Sequence, residues 1–241
     1  MLSLVPGGTP GLGSTPPAAS IGAPGSVAAS AAPTRAAPAP EDVYGLPTSH
    51  AHGQDAALAP GQGAADFRAW LGRNAGHRAE LAAFRERLAA DGVEGVVPLW
   101  QLLRTGSEWR QCGSDPFAIA PRDTWDHIAK TLKFVREQVE PAIGDVEPLS
   151  GYRDAALNAC AGGAPGSAHR HFFALDLVPV DRSVTRERMI RSICIAHARD
   201  GRAYDAGLGF YTRFRFHVDS NGYRKWGADG RGATSPCATF A

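Results

Sequence analysis

His169, His171 and Asp176, followed further along the chain by His217 and Asp219, are all residue types that bind zinc. Catalytic zinc takes three protein nitrogen or oxygen ligands and leaves its fourth position to water. An ion held in that way lowers the pKa of its water towards neutrality and polarises a carbonyl, which is the chemistry of metal-assisted hydrolysis. His169 follows a Gly/Ala/Pro-rich loop at 161–167 and leads into residues 172–178, which read as a strand. His217 lies in a second strand-like run at 214–218, where aromatic and polar residues alternate. Two adjacent strands would bring a His and an Asp from one and a His from the other to a single ion. The spacing is neither a His-x-x-x-His helix pair nor a Cys-x-x-Cys. On residue pattern alone, polar residues at strand edges without a metal are the more ordinary reading.

Four motifs in order carry a resemblance. Ser167-x-His169-x-x-x-x-Ala174-x-Asp176 is similar to the signature of the zinc D-Ala-D-Ala carboxypeptidase and dipeptidase family, which is related to the hedgehog-type zinc domains. Upstream, Ser150-Gly151-Tyr152-Arg153 resembles that family's Ser-x-x-Arg turn, and Asn158 with Gly162-Gly163-Ala164 fits the segment between. Downstream, Gly207-Leu208-Gly209-Phe210-Tyr211, His217-Val218-Asp219 and Arg224-Lys225-Trp226 resemble the Gly-x-Gly-x-Tyr, His-Val-Asp and Arg-x-Trp features of its peptidoglycan-cleaving branch. The resemblance covers residues 145–228.

It implies that His169, Asp176 and His217 hold one zinc ion. It also implies that Arg153 binds or polarises substrate near the scissile carbonyl, with Tyr152 beside it and Ser167 contacting substrate or steadying the loop. A planar guanidinium suits an oxyanion or a terminal carboxylate. Two departures bear on the chemistry. Position 172 is Phe where the family usually has Gly, so the backbone there must suit a side chain. Many members place an acid three residues before the last histidine, and here that place is Phe214. Asp219 is the proton acceptor this reading expects, with a carboxylate that orients a ligand histidine or pairs with Arg224 as the equal alternative. His171 is a further proton donor or substrate contact, or else an exposed strand residue.

The elements that would position these groups can be read from periodicity. Apolar residues recur at helical spacing through 64–90, with Gly72 to Gly76 splitting the stretch into two shorter helices. A short helix follows at 98–103, and residues 123–139 form the clearest helix, with an acidic start and Pro141 beyond its end. Residues 146–149 should be the strand that delivers Arg153, with a helical turn at 154–160 after it. Residues 183–198 form a second clear helix, with Ser183 as its cap and His197 as a structural residue rather than a ligand.

Of the 241 residues, 1–63 are dominated by Ala, Pro, Gly and Ser and cannot bury enough apolar surface to order themselves, so they are expected to be a disordered tail. His50 and His52 fall there as solvated linker residues. The leader has no charged n-region or continuous apolar h-region, so it does not read as a secretory signal; a displaced start or a longer precursor would account for that. The domain organisation that follows is a tail at 1–63, a helical extension at 64–140, a zinc peptidase core at 141–228 and a C-terminal tail at 229–241. Net charge is +1, from 25 basic and 24 acidic side chains, so there is no electrostatic footprint for nucleic acid. No stretch reaches the roughly 18 consecutive apolar residues of a transmembrane helix. The composition leaves the oligomeric state open.

Four cysteines, at 112, 160, 194 and 237, include no Cys-x-x-Cys spacing. Cys160 lies beside the loop that carries Ser167 and Cys112 lies in the preceding loop, so a Cys112–Cys160 bridge is expected, with Cys194 a buried free thiol. A disulfide implies an oxidising compartment, periplasmic or extracellular, consistent with a cell-wall substrate. The expected fold is α+β, with a small, mostly antiparallel sheet bearing the zinc site on one face and helices on the other. The expected function is a zinc metallopeptidase acting on peptidoglycan stem peptides or cross-bridges, of carboxypeptidase or endopeptidase type. Within enzymes, a phage-type endolysin or a free dipeptidase is the runner-up. A non-catalytic zinc domain that binds wall peptides is the alternative from another class, and a purely structural secreted domain is a third.

Overall fold

The computed structural model describes Tyr44 and residues 58–240. The tail expected before residue 58, Tyr44 apart, lies outside the described residues, and His50 and His52 lie there with it. Residues 58–63 pack against the body. Gln62 is buried, its Nε2 donates to the Pro116 carbonyl at 2.9 Å, and its own carbonyl accepts from Arg104 Nε at 3.0 Å.

Helix α1 (Ala64–Gly72) buries Phe67, Trp70 and Leu71, and α2 (Ala75–Ala90) buries Leu81, Phe84 and Leu88. The break between them falls where the glycines predict it, and Asn74 restarts the chain by accepting the Gly76 N–H. Phe67 gathers the neighbouring aromatics, with Tyr44, Trp100 and Phe117 all within 6.3 Å between ring centroids. Helix α3 (Leu99–Leu102) is the expected short element.

Helix α4 (Trp125–Phe134) continues into a π-helical turn, Val135–Val139, and then into α5 (Glu140–Ile143). The helix therefore runs past Pro141, which was expected beyond its end. The wide turn lets the Glu140 N–H reach the Val135 carbonyl, and Pro141 then sits at the start of the last turn, where no backbone N–H is needed.

Five strands form the sheet: β1 (Val146–Ser150), β2 (Ala174–Pro179), β3 (Gly207–Phe210), β4 (Phe216–Asp219) and β5 (Arg224–Trp226), in the order β1-β2-β4-β3-β5. β3 and β5 pair in parallel and every other pair is antiparallel. Side chains alternate across a strand. Leu175 and Leu177 of β2, Leu208 and Phe210 of β3, and Phe216 and Val218 of β4 join Ile128, Leu132 and Ile193 in the buried core. The other face of the same strands carries Asp176, Gly207, Gly209, His217 and Asp219. The α+β class, with a mostly antiparallel sheet and helices against one face, is thus the observed architecture.

Helix α6 (Ala155–Cys160) follows β1, capped by Asp154, which accepts the Leu157 N–H at 2.8 Å. Helix α7 (Arg186–Asp200) is capped by Thr185 rather than by Ser183. The Ser183 hydroxyl and N–H both go to the Asp181 carboxylate, so Ser183 closes the preceding turn instead. Cys112 and Cys160 are bridged, as expected. Cys194 is not a free thiol: it is bonded to Cys237. Two short 3-10 turns, Gly232–Thr234 and Pro236–Phe240, bring the chain end back and bury Cys237 against α7. The Gly/Ala/Ser-rich sequence hides this packing, which joins the disulfide to the partial burial of Phe240 against the core and a Lys225 bond to the Cys237 carbonyl.

Candidate metal centre

His169, Asp176 and His217 meet at one buried point from three elements. Asp176 lies in the middle of β2 and His217 stands opposite it on β4. His169 comes from the 3-10 turn Ala168–His171 immediately before β2. Their exposures are 2 %, 1 % and 5 %.

The turn carrying His169 is fixed by the backbone around it. Gly151 approaches the Leu102 carbonyl so closely that a Cβ would lie 2.5 Å from its oxygen, and only glycine allows this. The Gly151 carbonyl then accepts from His169 Nδ1 at 2.7 Å. The preceding loop is held by Asn158, whose Nδ2 donates to the Ala164 carbonyl at 2.9 Å while its Oδ1 fills the space a Cβ on Gly163 would need. Phe172 ends the turn in the left-handed region, φ 54° and ψ 29°. That conformation favours glycine, and a phenylalanine there is strained. Its ring is 1 % exposed and packs on Phe84 and, edge-on, on Tyr152, so burial offsets the strain.

Each histidine is fixed in one tautomer by the nitrogen that faces away from the centre. His169 Nδ1 donates to Gly151, which leaves Nε2 facing Asp176. His217 Nε2 donates to Asp219 Oδ2 at 2.8 Å, which leaves Nδ1 facing inward. The three inward atoms, His169 Nε2, Asp176 Oδ1 and His217 Nδ1, are separated by 3.1, 3.2 and 3.3 Å. A tetrahedral zinc with bonds of about 2.0–2.1 Å places its donors about 3.3–3.4 Å apart. Three acceptors converging at that separation, two on imidazoles whose other nitrogen is already a donor, fit a divalent cation. Among the described residues this is the group of ligand types that could hold a metal ion.

Electrostatics favour the metal-binding states of His169 and Asp176, whereas a cation at His217 has to displace a proton. Burial and the nearby Arg153 lower the His169 pKa to about 4, so it is neutral near pH 7. Burial opposes ionisation of Asp176, but His169 and Arg215 beside it outweigh burial and hold its carboxyl well below the usual range. Burial likewise opposes protonation of His217, yet its hydrogen bonds to Asp176 and Asp219 carry its pKa above the ordinary value.

Around the trio, Arg153 Nη2 lies 3.3 Å from Asp176 Oδ2, on the loop that β1 delivers. Asp219 has both oxygens engaged. Arg224 grips it at 2.9 and 2.7 Å, the Asn221 N–H adds a bond at 2.8 Å, and His217 takes Oδ2. These bonds hold the Asp219 carboxylate against the outer nitrogen of His217. Ser167 opens the 3-10 turn and makes no capping bond with its side chain. Tyr152 is half-buried against Phe172. His171 is exposed at the end of the turn, and its carbonyl accepts from His127 Nδ1 at 2.8 Å. His197 is buried in α7, stacked on Tyr223 with its Nε2 on the Ala206 carbonyl, as a structural residue.

Three groups at the centre were not singled out from sequence as site residues. Arg215 donates to Asp176 Oδ2 at 2.8 Å, Tyr211 donates to Asp176 Oδ1 at 3.0 Å, and Trp226 stands against both His217 and Tyr211. Burial and the Asp176 charge push the Tyr211 phenol above its usual range, so it remains a donor. The signal was present as parity. Arg215, His217 and Asp219 alternate on one strand face, and Gly207 and Gly209 leave the space that the Asp219–Arg224 pair and the Trp226 ring fill. No model of a protein family matches this chain, and no curated protein or solved structure matches it either.

Proposed function

We propose that the protein is a zinc metallopeptidase that hydrolyses peptide bonds in peptidoglycan stem peptides or cross-bridges. The observation that carries this reading is the separation of the three inward donors, 3.1–3.3 Å, with both histidine tautomers fixed for metal binding. The ordered motifs described above add the substrate class. Zinc bound there would polarise the scissile carbonyl and activate water near neutral pH.

The chain's own residues supply the rest. Arg153, beside Asp176, would donate to the oxygen that gains charge at the carbonyl, while the Tyr211 hydroxyl, whose one proton goes to Asp176 Oδ1, steadies that carboxylate. Asp219, held by Arg224, keeps His217 turned inward. His171, the exposed imidazole two residues after His169, is the group we assign to proton transfer to the leaving amine. Two disulfides fit an oxidising, extracytoplasmic setting. No helix among the described residues is long and apolar enough to cross a membrane.

A non-catalytic zinc domain that binds wall peptides is the second reading, favoured by the full engagement of Asp219 and by Phe214 where an acid was sought. Zinc content and digestion of purified peptidoglycan, on wild type and His169→Ala, separate the two. One zinc per chain and new amino termini or released D-alanine, both lost in the variant, are the expected result. Zinc without cleavage points to the binding domain, and absence of zinc from the wild type removes both readings.

A further inference from the structure

A groove of about 640 Å³ lies beside the metal centre and shares two residues with it, Tyr211 and Arg215. That volume lies in the range of sites for small ligands, about 300–1,000 Å³. Its apolar lining comes from Val178, Pro179, Val184 and Phe214. Val178 lies two residues from Asp176 on β2 and so shares its face of the sheet. Phe214 is 42 % exposed, a large aromatic surface left to solvent at the rim. Arg182 and Arg213 line the groove beside Arg215, whose Nη2 is on Asp176, and its one lining carboxylate, Asp181, is engaged by Ser183.

The rim is built before any ligand arrives. Arg186 of α7 donates from Nε to the Arg213 carbonyl at 2.6 Å and from Nη2 to the Tyr211 carbonyl at 3.2 Å, and the Tyr211 N–H closes the turn on the Arg215 carbonyl at 3.1 Å. Arg213 is held at φ +67°, a left-handed conformation that a non-glycine residue adopts at a cost. Arg215 Nε is buried with no hydrogen-bond partner.

We propose that this groove is a substrate subsite for a peptide residue that joins an aliphatic stem to a free side-chain carboxylate. The stem packs on Val178, Pro179 and Phe214 while the carboxylate meets the arginines. The inference rests on the peptidase reading above, and it deepens that reading by naming which substrate feature selects the peptide. Tyr211 and Arg215 then link recognition to chemistry, because the same two side chains hold Asp176.

The test uses two synthetic N-acetylated peptides ending in D-Ala-D-Ala, identical except for glutamate or glutamine at the third residue from the carboxy terminus. Binding is read by calorimetry on the chelator-treated full chain, and hydrolysis is followed separately on the zinc-loaded chain. The glutamate peptide is expected to bind about tenfold more tightly than the glutamine peptide, as a charge-assisted contact would give. Arg213→Asn, chosen because asparagine tolerates the left-handed conformation, removes that difference. Phe214→Ala weakens both peptides, and zinc content is the same in each variant. Equal binding of the two peptides, no binding of either, or variants that bind like wild type would overturn the subsite. If the peptides are nevertheless cleaved, the peptidase reading survives its loss. Charge-dependent binding without cleavage keeps the subsite and removes the peptidase.

Discussion

Asp176 and His217 stand directly opposite one another on neighbouring antiparallel strands, with Oδ1 and Nδ1 3.1 Å apart. A slip of one residue would turn one of them into the core, so register and site are the same constraint. Asp176 also answers Arg153 and Arg215, so Asp176→Asn leaves two guanidinium groups facing each other. We expect this variant to lose zinc and, compared after chelation, to be less stable than wild type by about 3 kcal/mol, the low end for breaking a buried pair because Arg215 keeps partial solvent access. Urea unfolding of the two chelated proteins measures it.

Asp219→Asn separates the two roles open to that residue. If Asp219 orients His217, zinc affinity falls by about 10–100-fold, as it does when the partner of a ligand histidine is lost. Competition with a chromophoric chelator reads that loss. Unchanged zinc affinity with lost turnover would return Asp219 to proton transfer.

Phe172→Gly sets strain against packing. Glycine relieves a left-handed cost of about 1–2 kcal/mol. It also deletes a ring buried against Phe84 and Tyr152, where large-to-small changes cost about 3–5 kcal/mol. The variant is expected to be less stable by about 2 kcal/mol in denaturant titration, so the phenyl ring holds the turn more than the strain loosens it.

Cys237→Ser frees the chain end. The bond to Cys194 closes a 43-residue separation, and its loss is expected to cost about 2–4 kcal/mol of stability. Thermal unfolding of the variant under non-reducing conditions tests this. A midpoint equal to that of wild type would mean that Pro236–Phe240 is held by packing alone.

His197 should contribute to the acid limb of stability. Burial lowers its pKa from the ordinary 6.5; the Ala206 carbonyl and Asp219 pull the other way, and Lys225 and Arg202 add to the lowering. It faces Phe134 and Tyr223 from the elements packed on it. Below the ordinary value the unfolded chain takes up a proton that the folded chain resists. This contribution is therefore complete above about pH 6.5 and declines as pH falls towards the lowered folded value. Chemical denaturation across pH should show a shallower acid decline in His197→Asn than in wild type.

Much of this was legible in the chain itself. A strand-like apolar run located β2, and alternation of aromatic and polar residues located β4. The glycine break divided α1 from α2, and ligand chemistry narrowed the candidates to His169, His171, Asp176, His217 and Asp219, from which the resemblance implied His169, Asp176 and His217. The Cys112–Cys160 bridge followed from which loops flank the site. Tertiary structure alone decided the bonds of Tyr211 and Arg215 to Asp176, the clasp of Arg224 on Asp219, the Cys194–Cys237 link and the left-handed Phe172. Each of these depends on cross-strand register or on packing between segments distant in sequence, and local patterns do not encode distances across space. The sequence determined which groups could bind a metal. The antiparallel pairing of β2 with β4, and the carbonyl of Gly151 behind His169, decided that their lone pairs meet at one point.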